Sequence, residues 1–239
     1  MQKIHFTSPA GSVSSGSAAA NPPATDVNIA IDIETLSRRP TAAIISIAAR
    51  VFSFTKEAPV VLDNIRAEQG YILINASTCA MQGLHFDMDT IRWWQRRSEE
   101  ARAPHEQMGL EAVPIAKALD DFYKWCSTIR KAAGGQLLFW MQGTDFDAAI
   151  LRNAYAEILG YDTPWKHTEL RDSRTFIHTT IGLLRPDVAD PYSIIPKNPN
   201  WHPHDALSDV EQLIWNVRHV QQLFLSSTIH AHAVSLMAP

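Results

Sequence analysis

Large apolar residues take alternate positions in Val27-Asn28-Ile29-Ala30-Ile31-Asp32-Ile33-Glu34. A period of two predicts a β-strand with Val27, Ile29, Ile31 and Ile33 on its core face. Its other face ends in two carboxylates, Asp32 and Glu34. Ile44 to Phe54 and Tyr71 to Ile74 predict two further strands, and their order suggests an antiparallel meander. The pattern then turns helical. Asp89-Thr90 is the expected cap of a helix running through Ile91 and Trp94 to about Arg102. Ile115, Leu119, Phe122, Cys126 and Ile129 recur at steps of three and four, which predicts an amphipathic helix broken at Gly134-Gly135. Leu137 to Met141 reads as a short buried strand, and Phe146 to Leu159 as a helix stopped by Gly160. Another helix is expected from near Asp172, and a long last one from Asp205 to about Leu225. Strands first, then helices alternating with a strand, predict one mixed α/β domain over residues 26–225.

The ends read differently. In residues 1–25, 15 of the 25 are Ser, Ala, Pro or Gly, with neither period, so a flexible N-terminal tail is expected. That segment has no apolar stretch of a secretory signal and no arginine of a transit peptide. Residues 226–239 are expected to form a C-terminal tail.

Composition narrows the function classes. With 239 residues and 46% hydrophobic content, the chain can bury a sizeable core and is not disordered as a whole. No apolar run approaches the roughly 18–20 residues of a membrane span. The net charge of -4 argues against a surface that coats nucleic acid, so any such contact is local. Two cysteines, Cys79 and Cys126, make neither a disulfide framework nor a zinc knuckle, which suits a reduced, cytoplasmic setting.

Three segments could carry chemistry. Asp32 and Glu34 share a strand face about 6.5 Å apart, where one is expected to keep its proton unless a cation intervenes. Taken alone, such a pair is more often a solvated strand end. Asp147 lies in the first turn of a helix entered through Gly143-Thr144-Asp145-Phe146, with Asp145 as the expected cap; acids are common there for the dipole alone. In His202-Pro203-His204-Asp205-Ala206-Leu207-Ser208-Asp209, Asp205 reads as an N-cap and Asp209 sits one turn inside the helix. His204, before the positive helix end, is favoured as the neutral imidazole that a general base requires.

In this order, a strand Asp-x-Glu, a Phe-Asp opening a helix and a late His-x4-Asp resemble the DEDDh 3′–5′ exonucleases, whose fold is ribonuclease-H-like. Asp32-Ile33-Glu34-Thr35-Leu36 with Pro40, Ile45-Ser46-Ile47 and Ile91-Arg92-Trp93-Trp94 resembles the phage exonuclease A and small bacterial exoribonuclease branch. So do Pro164-Trp165, Arg171-Asp172-Ser173-Arg174-Thr175 and the His204 to Asp209 run. The likeness spans about residues 26–225. Ala48 stands where many relatives place Gly, and the tail has no counterpart.

The resemblance implies a mixed β-sheet flanked by helices and hydrolysis of single-stranded RNA or DNA, or of a 3′ overhang, from the 3′ end to nucleoside 5′-monophosphates. It implies two Mg²⁺ or Mn²⁺ ions, one held by Asp32, Glu34 and Asp209, the other by Asp32 and Asp147. It makes His204 the general base for the attacking water, in preference to His202, whose backbone Pro203 restricts. Thr35, Leu36 and Trp94 would contact the terminal nucleotide, and a homodimer is compatible with the branch. Adjacent Trp93 and Trp94 point about 100° apart on a helix, so at least one belongs to the core. Rival readings are a nucleic-acid-binding module without activity, a nucleotide pyrophosphohydrolase, whose Glu-rich helix motif is absent, and a hydrolase confined to short oligonucleotides. No motif reports the choice between RNA and DNA.

Overall fold

The computed structural model describes residues 26–54, 70–99, 101–102, 112–133 and 136–237. The alternating segment forms the central strand, β1 (Val27–Thr35), of a five-stranded sheet. On one side β2 (Ile44–Phe52) pairs antiparallel with β1, and β3 (Tyr71–Leu73) pairs antiparallel with β2. This is the expected meander. On the other side β4 (Leu137–Met141) runs parallel to β1, and β5 (Leu170–Asp172) parallel to β4. The strand order is β3-β2-β1-β4-β5. At three residues, β5 is too short to show a period in the sequence.

Between the strands lie α1 (Ala76–Met81), α2 (Met88–Trp94) and α3 (Ile115–Ala133). After β4 come α4 (Asp147–Ala154), α5 (Ser173–Leu184) and α6 (Ala206–Met237). The α3 stripe is buried as its spacing predicts, through Ile115, Leu119, Phe122, Cys126 and Ile129. The proposed Gly134-Gly135 break and the tail of residues 1–25 lie outside the described residues.

Several boundaries differ from the sequence reading, among them β2, which stops at Phe52 instead of Phe54. The cap of α2 is Asp87, whose extended backbone lets its side chain accept from the Asp89 N–H at 2.9 Å; Asp89 is already inside the first turn. That helix ends at Trp94 instead of running to Arg102, and Arg97 folds back to donate to the Trp93 carbonyl. The helix expected to Leu159 is α-helical to Ala154 and finishes in a π-turn, Tyr155–Leu159, closed by Gly160 at φ 69°. A left-handed residue there is the usual reason for glycine at a helix end. The last helix continues to Met237, past Leu225, because no Gly or Pro interrupts the sequence until Pro239.

A larger correction concerns β1, expected to bury one face and buried on both. Ile29, Ile31 and Ile33 join α3 and α4 in the main core, with Leu119, Phe122 and Leu151. The opposite face, through Ala30, meets Val210, Leu213 and Val217 of α6. Small residues keep that second interface close: Ala48, opposite Asp32 in the β1–β2 register, lies in the same cluster. Asn28 is accommodated there by accepting the Trp140 indole N–H at 2.9 Å.

The parallel pairing of β1 with β4 stops at Ala30 and Trp140, so β1 runs on alone towards Asp32 and Glu34. A register irregularity between Glu34 and Thr35 breaks the β1–β2 ladder at the same end. Bulges re-aim side chains, and crevices beyond the carboxyl ends of strands are where sheets of this kind receive ligands.

Candidate active site

Four acids converge on that crevice from three elements. Asp32 and Glu34 stand on one face of β1. Asp147 comes from the first turn of α4, 4% exposed. The turn leading to it is set by Gly143 at φ 106°, a backbone that L residues rarely adopt. Asp172 braces that turn: its carboxylate accepts from Thr144 N–H at 3.1 Å while capping α5 through Thr175 N–H at 2.7 Å. The expected cap, Asp145, does not fill that role, because Phe146 occupies the cap position with no side-chain bond.

Asp209 and His204 arrive together at the start of α6. The His204 N–H donates to Asp209 Oδ2 at 2.9 Å, and the Trp201 indole donates to Asp209 Oδ1 at 2.6 Å. His204 has φ 69°, the only non-glycine residue with positive φ among those described. Such a backbone costs energy and persists where its surroundings impose it. The edge of Trp93 packs against the imidazole, ring centroids 4.7 Å apart, and the Arg97 guanidinium lies 4.3 Å above the Trp93 ring. Asp205 directly precedes α6, its carbonyl accepting from Asp209 N–H at 2.8 Å.

One ligand-type atom from each of Glu34, His204 and Asp209 lies within 4.8 Å of the others. Asp32 and Asp147 are not part of that tight triple, but their charges reach it. Burial, then repulsion from Asp147, Glu34 and Asp209, pushes the Asp32 carboxyl well above its usual range. Burial followed by Asp209 and Asp147 raises Glu34 to about 8. Burial also raises Asp147 to about 8, against hydrogen bonds from the N–H groups of Ile33 and of Asp147 itself. Asp209 is raised by burial despite its Trp201 and His204 donors. His204 moves the other way: burial lowers its pKa, leaving it neutral near pH 7. Carboxylates so short of positive charge fit a divalent cation, and the four carboxylates, as oxygen donors, suit a hard ion.

Two clefts flank the acids. One, of about 400 Å³, is lined by Glu34, Thr35, Arg38, Trp93, Arg96 and Phe146. The other, of about 760 Å³, is lined by Asp32, His204 and Asp209 together with polar Arg174, Lys197 and Gln212.

The remaining sequence candidates separate. Thr35 is buried, its hydroxyl donated to the Ser37 carbonyl at 2.7 Å, and Leu36 is half-buried against the core. Trp94 is the core member of the tryptophan pair, 8% exposed, with its indole N–H donated to the Thr35 carbonyl. Trp93 instead meets His204. His202 is exposed and donates its backbone N–H to Ser208 Oγ at 2.7 Å. Sequence reasoning missed Trp201, which lies in a loop without period, and the bracing role of Asp172.

A model of the 3′–5′ exoribonuclease Rv2179c-like domain matches residues 27–222. No curated protein matches the sequence. E. coli exonuclease I in complex with a dT13 oligonucleotide aligns with a TM-score of 0.51 and 15% identity, over 87% of this chain and 44% of that one. Another exonuclease I structure, described as suggesting how processivity is achieved, gives 0.55 at 15% identity over 90% and 46%. The zinc-bound E. coli exonuclease I–ssDNA complex gives 0.51 at 16% identity over 90% and 45%. This chain thus spans less than half the length of those proteins, and the likeness is one of fold, the ribonuclease-H-like arrangement of an exonuclease.

Proposed function

The chain belongs to the Rv2179c-like 3′–5′ exoribonuclease domain family, and from that premise we propose that it hydrolyses single-stranded nucleic acid from the 3′ end, releasing nucleoside 5′-monophosphates. The observation that carries the reading is the meeting of Glu34, His204 and Asp209 within 4.8 Å beside half-buried Asp32 and buried Asp147. Asp32, Glu34 and Asp209 would hold one divalent ion, and Asp32 with Asp147 a second; oxygen donors would favour Mg²⁺ or Mn²⁺. Bound there, the ions supply charge stabilisation to the attacking and leaving oxygens of an in-line displacement.

The protein groups do the rest. A neutral imidazole nitrogen of His204 takes the proton of the attacking water. Trp93 packs against that ring, and the bond from His204 N–H to Asp209 holds the backbone that carries it, before substrate arrives. The water oxygen bonds to phosphorus, the bond to the 3′-oxygen breaks, that oxygen takes a proton from solvent, and His204 returns its own proton to solvent. Thr35, Leu36 and the cleft over them receive the terminal nucleotide. The family description makes RNA the first strand to test, and exonuclease I is described in complex with DNA oligonucleotides. A homodimer completes the reading, as does a reduced cytoplasmic setting that suits two buried free cysteines. No helix among the described residues is long and apolar enough to cross a membrane.

The test is a time course on 5′-labelled single-stranded RNA and DNA with Mg²⁺, Mn²⁺ or EDTA. A ladder shortening from the 3′ end, abolished by EDTA, is expected. Asp32→Ala lowers the rate by about 10³-fold or more, several kcal/mol of transition-state stabilisation, while remaining folded by circular dichroism. Undiminished hydrolysis by folded Asp32→Ala, or no ladder with any metal, refutes the reading.

A further inference from the structure

We propose that Gln212 and Tyr192 form a ribose-reading wall in the larger cleft, recognising the 2′-hydroxyl of the nucleotide on the 5′ side of the scissile bond and so selecting RNA over DNA. The proposal rests on the exonuclease reading above and names the residues that discriminate the sugar.

Gln212 follows Asp209 by three residues and Asn216 follows Gln212 by four, so the three share one face of α6. The helix buries Val210, Leu213 and Val217 against the sheet. Its polar face lines the cleft that holds Asp32 and His204, next to the reacting phosphodiester. Gln212 Nε2 donates to Asn216 Oδ1 at 2.9 Å, and Asn216 is itself buried. Gln212 Oε1 is buried with no hydrogen-bond partner among the described residues. The Tyr192 hydroxyl, on the 3₁₀ turn Pro191–Ile194 and lining the same cleft, is buried too. It lies near the Arg174 guanidinium without a well-formed hydrogen bond.

Each such atom carries a desolvation cost of about 1–3 kcal/mol that a bound partner removes. The partner must sit beside a phosphate, because exposed Arg174 and Lys197 line the same cleft as Asp32 and Asp209. The smaller cleft offers the aromatic surface of Trp93 and Phe146 beside Arg38 and Arg96, and the larger one, which also holds Trp201, adds the amide and phenol groups of Gln212, Asn216 and Tyr192 that suit a sugar hydroxyl. A 2′-hydroxyl both donates and accepts, so it completes the Gln212 amide whichever way that amide is turned. Deoxyribose presents only C–H there and leaves the Gln212 amide incomplete, the situation in which a site rejects the analogue lacking a hydroxyl.

The experiment compares hydrolysis of matched single-stranded RNA, DNA, and RNA carrying one 2′-deoxy residue next to the 3′ terminus. Wild type is compared with Gln212→Leu and with Tyr192→Phe, which removes a single oxygen and preserves the ring. Wild type is expected to prefer RNA and to slow on the singly deoxy strand. Either variant reduces the RNA-to-DNA rate ratio about fivefold, the worth of one hydrogen bond, and blunts the response to the single deoxy residue. A wild-type ratio in both variants, melting as wild type does, overturns the proposal, and so does equal wild-type cleavage of RNA and DNA. Should Gln212→Leu fail to fold, Tyr192→Phe alone decides it. No wild-type cleavage of either strand overturns the exonuclease reading, and this one with it.

Discussion

Glu169 and Asp147 are both carboxylates closed off from solvent, 2% and 4% exposed, yet the protein treats them in opposite ways. Burial pushes the Glu169 carboxyl up, but Arg130 outweighs it, donating to the two carboxylate oxygens at 2.6 and 2.8 Å, with the Lys166 N–H adding a third bond at 2.9 Å. The result lies below the usual glutamate range. Asp147 accepts from the N–H groups of Ile33 and Asp147 and feels Arg174 only weakly, so burial wins and carries it to about 8. Equal burial therefore does not define a site. A full counter-charge makes Glu169 a strut, tying the end of α3 to the loop at Pro164, whose carbonyl Arg130 also binds at 2.8 Å. Its absence leaves Asp147 and its neighbours organised around a charge that has to come from outside the chain.

The largest test of this contrast is Arg130→Ala. It strands a buried carboxylate and is expected to cost about 3 kcal/mol in a denaturant titration. The double variant with Glu169→Gln should recover much of that loss. A cost under about 1 kcal/mol would mean the strut is no strut. Asp147→Asn should act in the opposite direction. The amide oxygen still accepts from Ile33 N–H while one repelled charge is removed, so in EDTA the variant is expected to melt higher by a few degrees, about 1 kcal/mol, with hydrolysis lost. A lower melting temperature would show that Asp147 is already compensated.

A third test is the pH profile. Glu34 and Asp147 sit at about 8 in the folded protein, above the reference of roughly 4 for an unfolded chain. Their contribution is fully present below pH 4 or so and is lost as pH rises through about 8. In EDTA the protein should therefore melt lower at pH 9 than at pH 6, and saturating Mg²⁺ should remove most of that slope. Glu169, held below its usual value, acts at the other end: its support is present above about pH 4.3 and is lost on further acidification. Differential scanning fluorimetry across pH, with and without Mg²⁺, separates the two windows. Identical slopes with and without the ion would break the comparison.

Much of the site was legible because short-range rules place each acid and the order of the motifs, through the family resemblance, joins them. Period two aligned Asp32 with Glu34, a polar turn after an apolar strand put Asp147 in a first helical turn, and four-residue spacing joined the His204 segment to Asp209. Trp201 was not legible: a loop residue eight positions before Asp209 has no period, and only the folded loop turns its indole onto that carboxylate. Nor was the choice between Trp93 and Trp94. Helical geometry requires one of them to be core, but which one depends on where Thr35 offers its carbonyl.

The sequence by itself determined β1 to β4 and the longer helices, since those follow from contacts within a few residues, and the order of its acidic motifs, through the resemblance it carries, singled out the acids. Tertiary structure alone decided that β1 is buried on both faces, because the cover on its second face is α6, about 180 positions further along the chain. It also decided which buried carboxylate would be charged. That depends on the distance to a cation: Arg130 stands 39 residues from Glu169 in the chain and 2.6 Å from it in space, and no comparable partner among the described residues reaches Asp147.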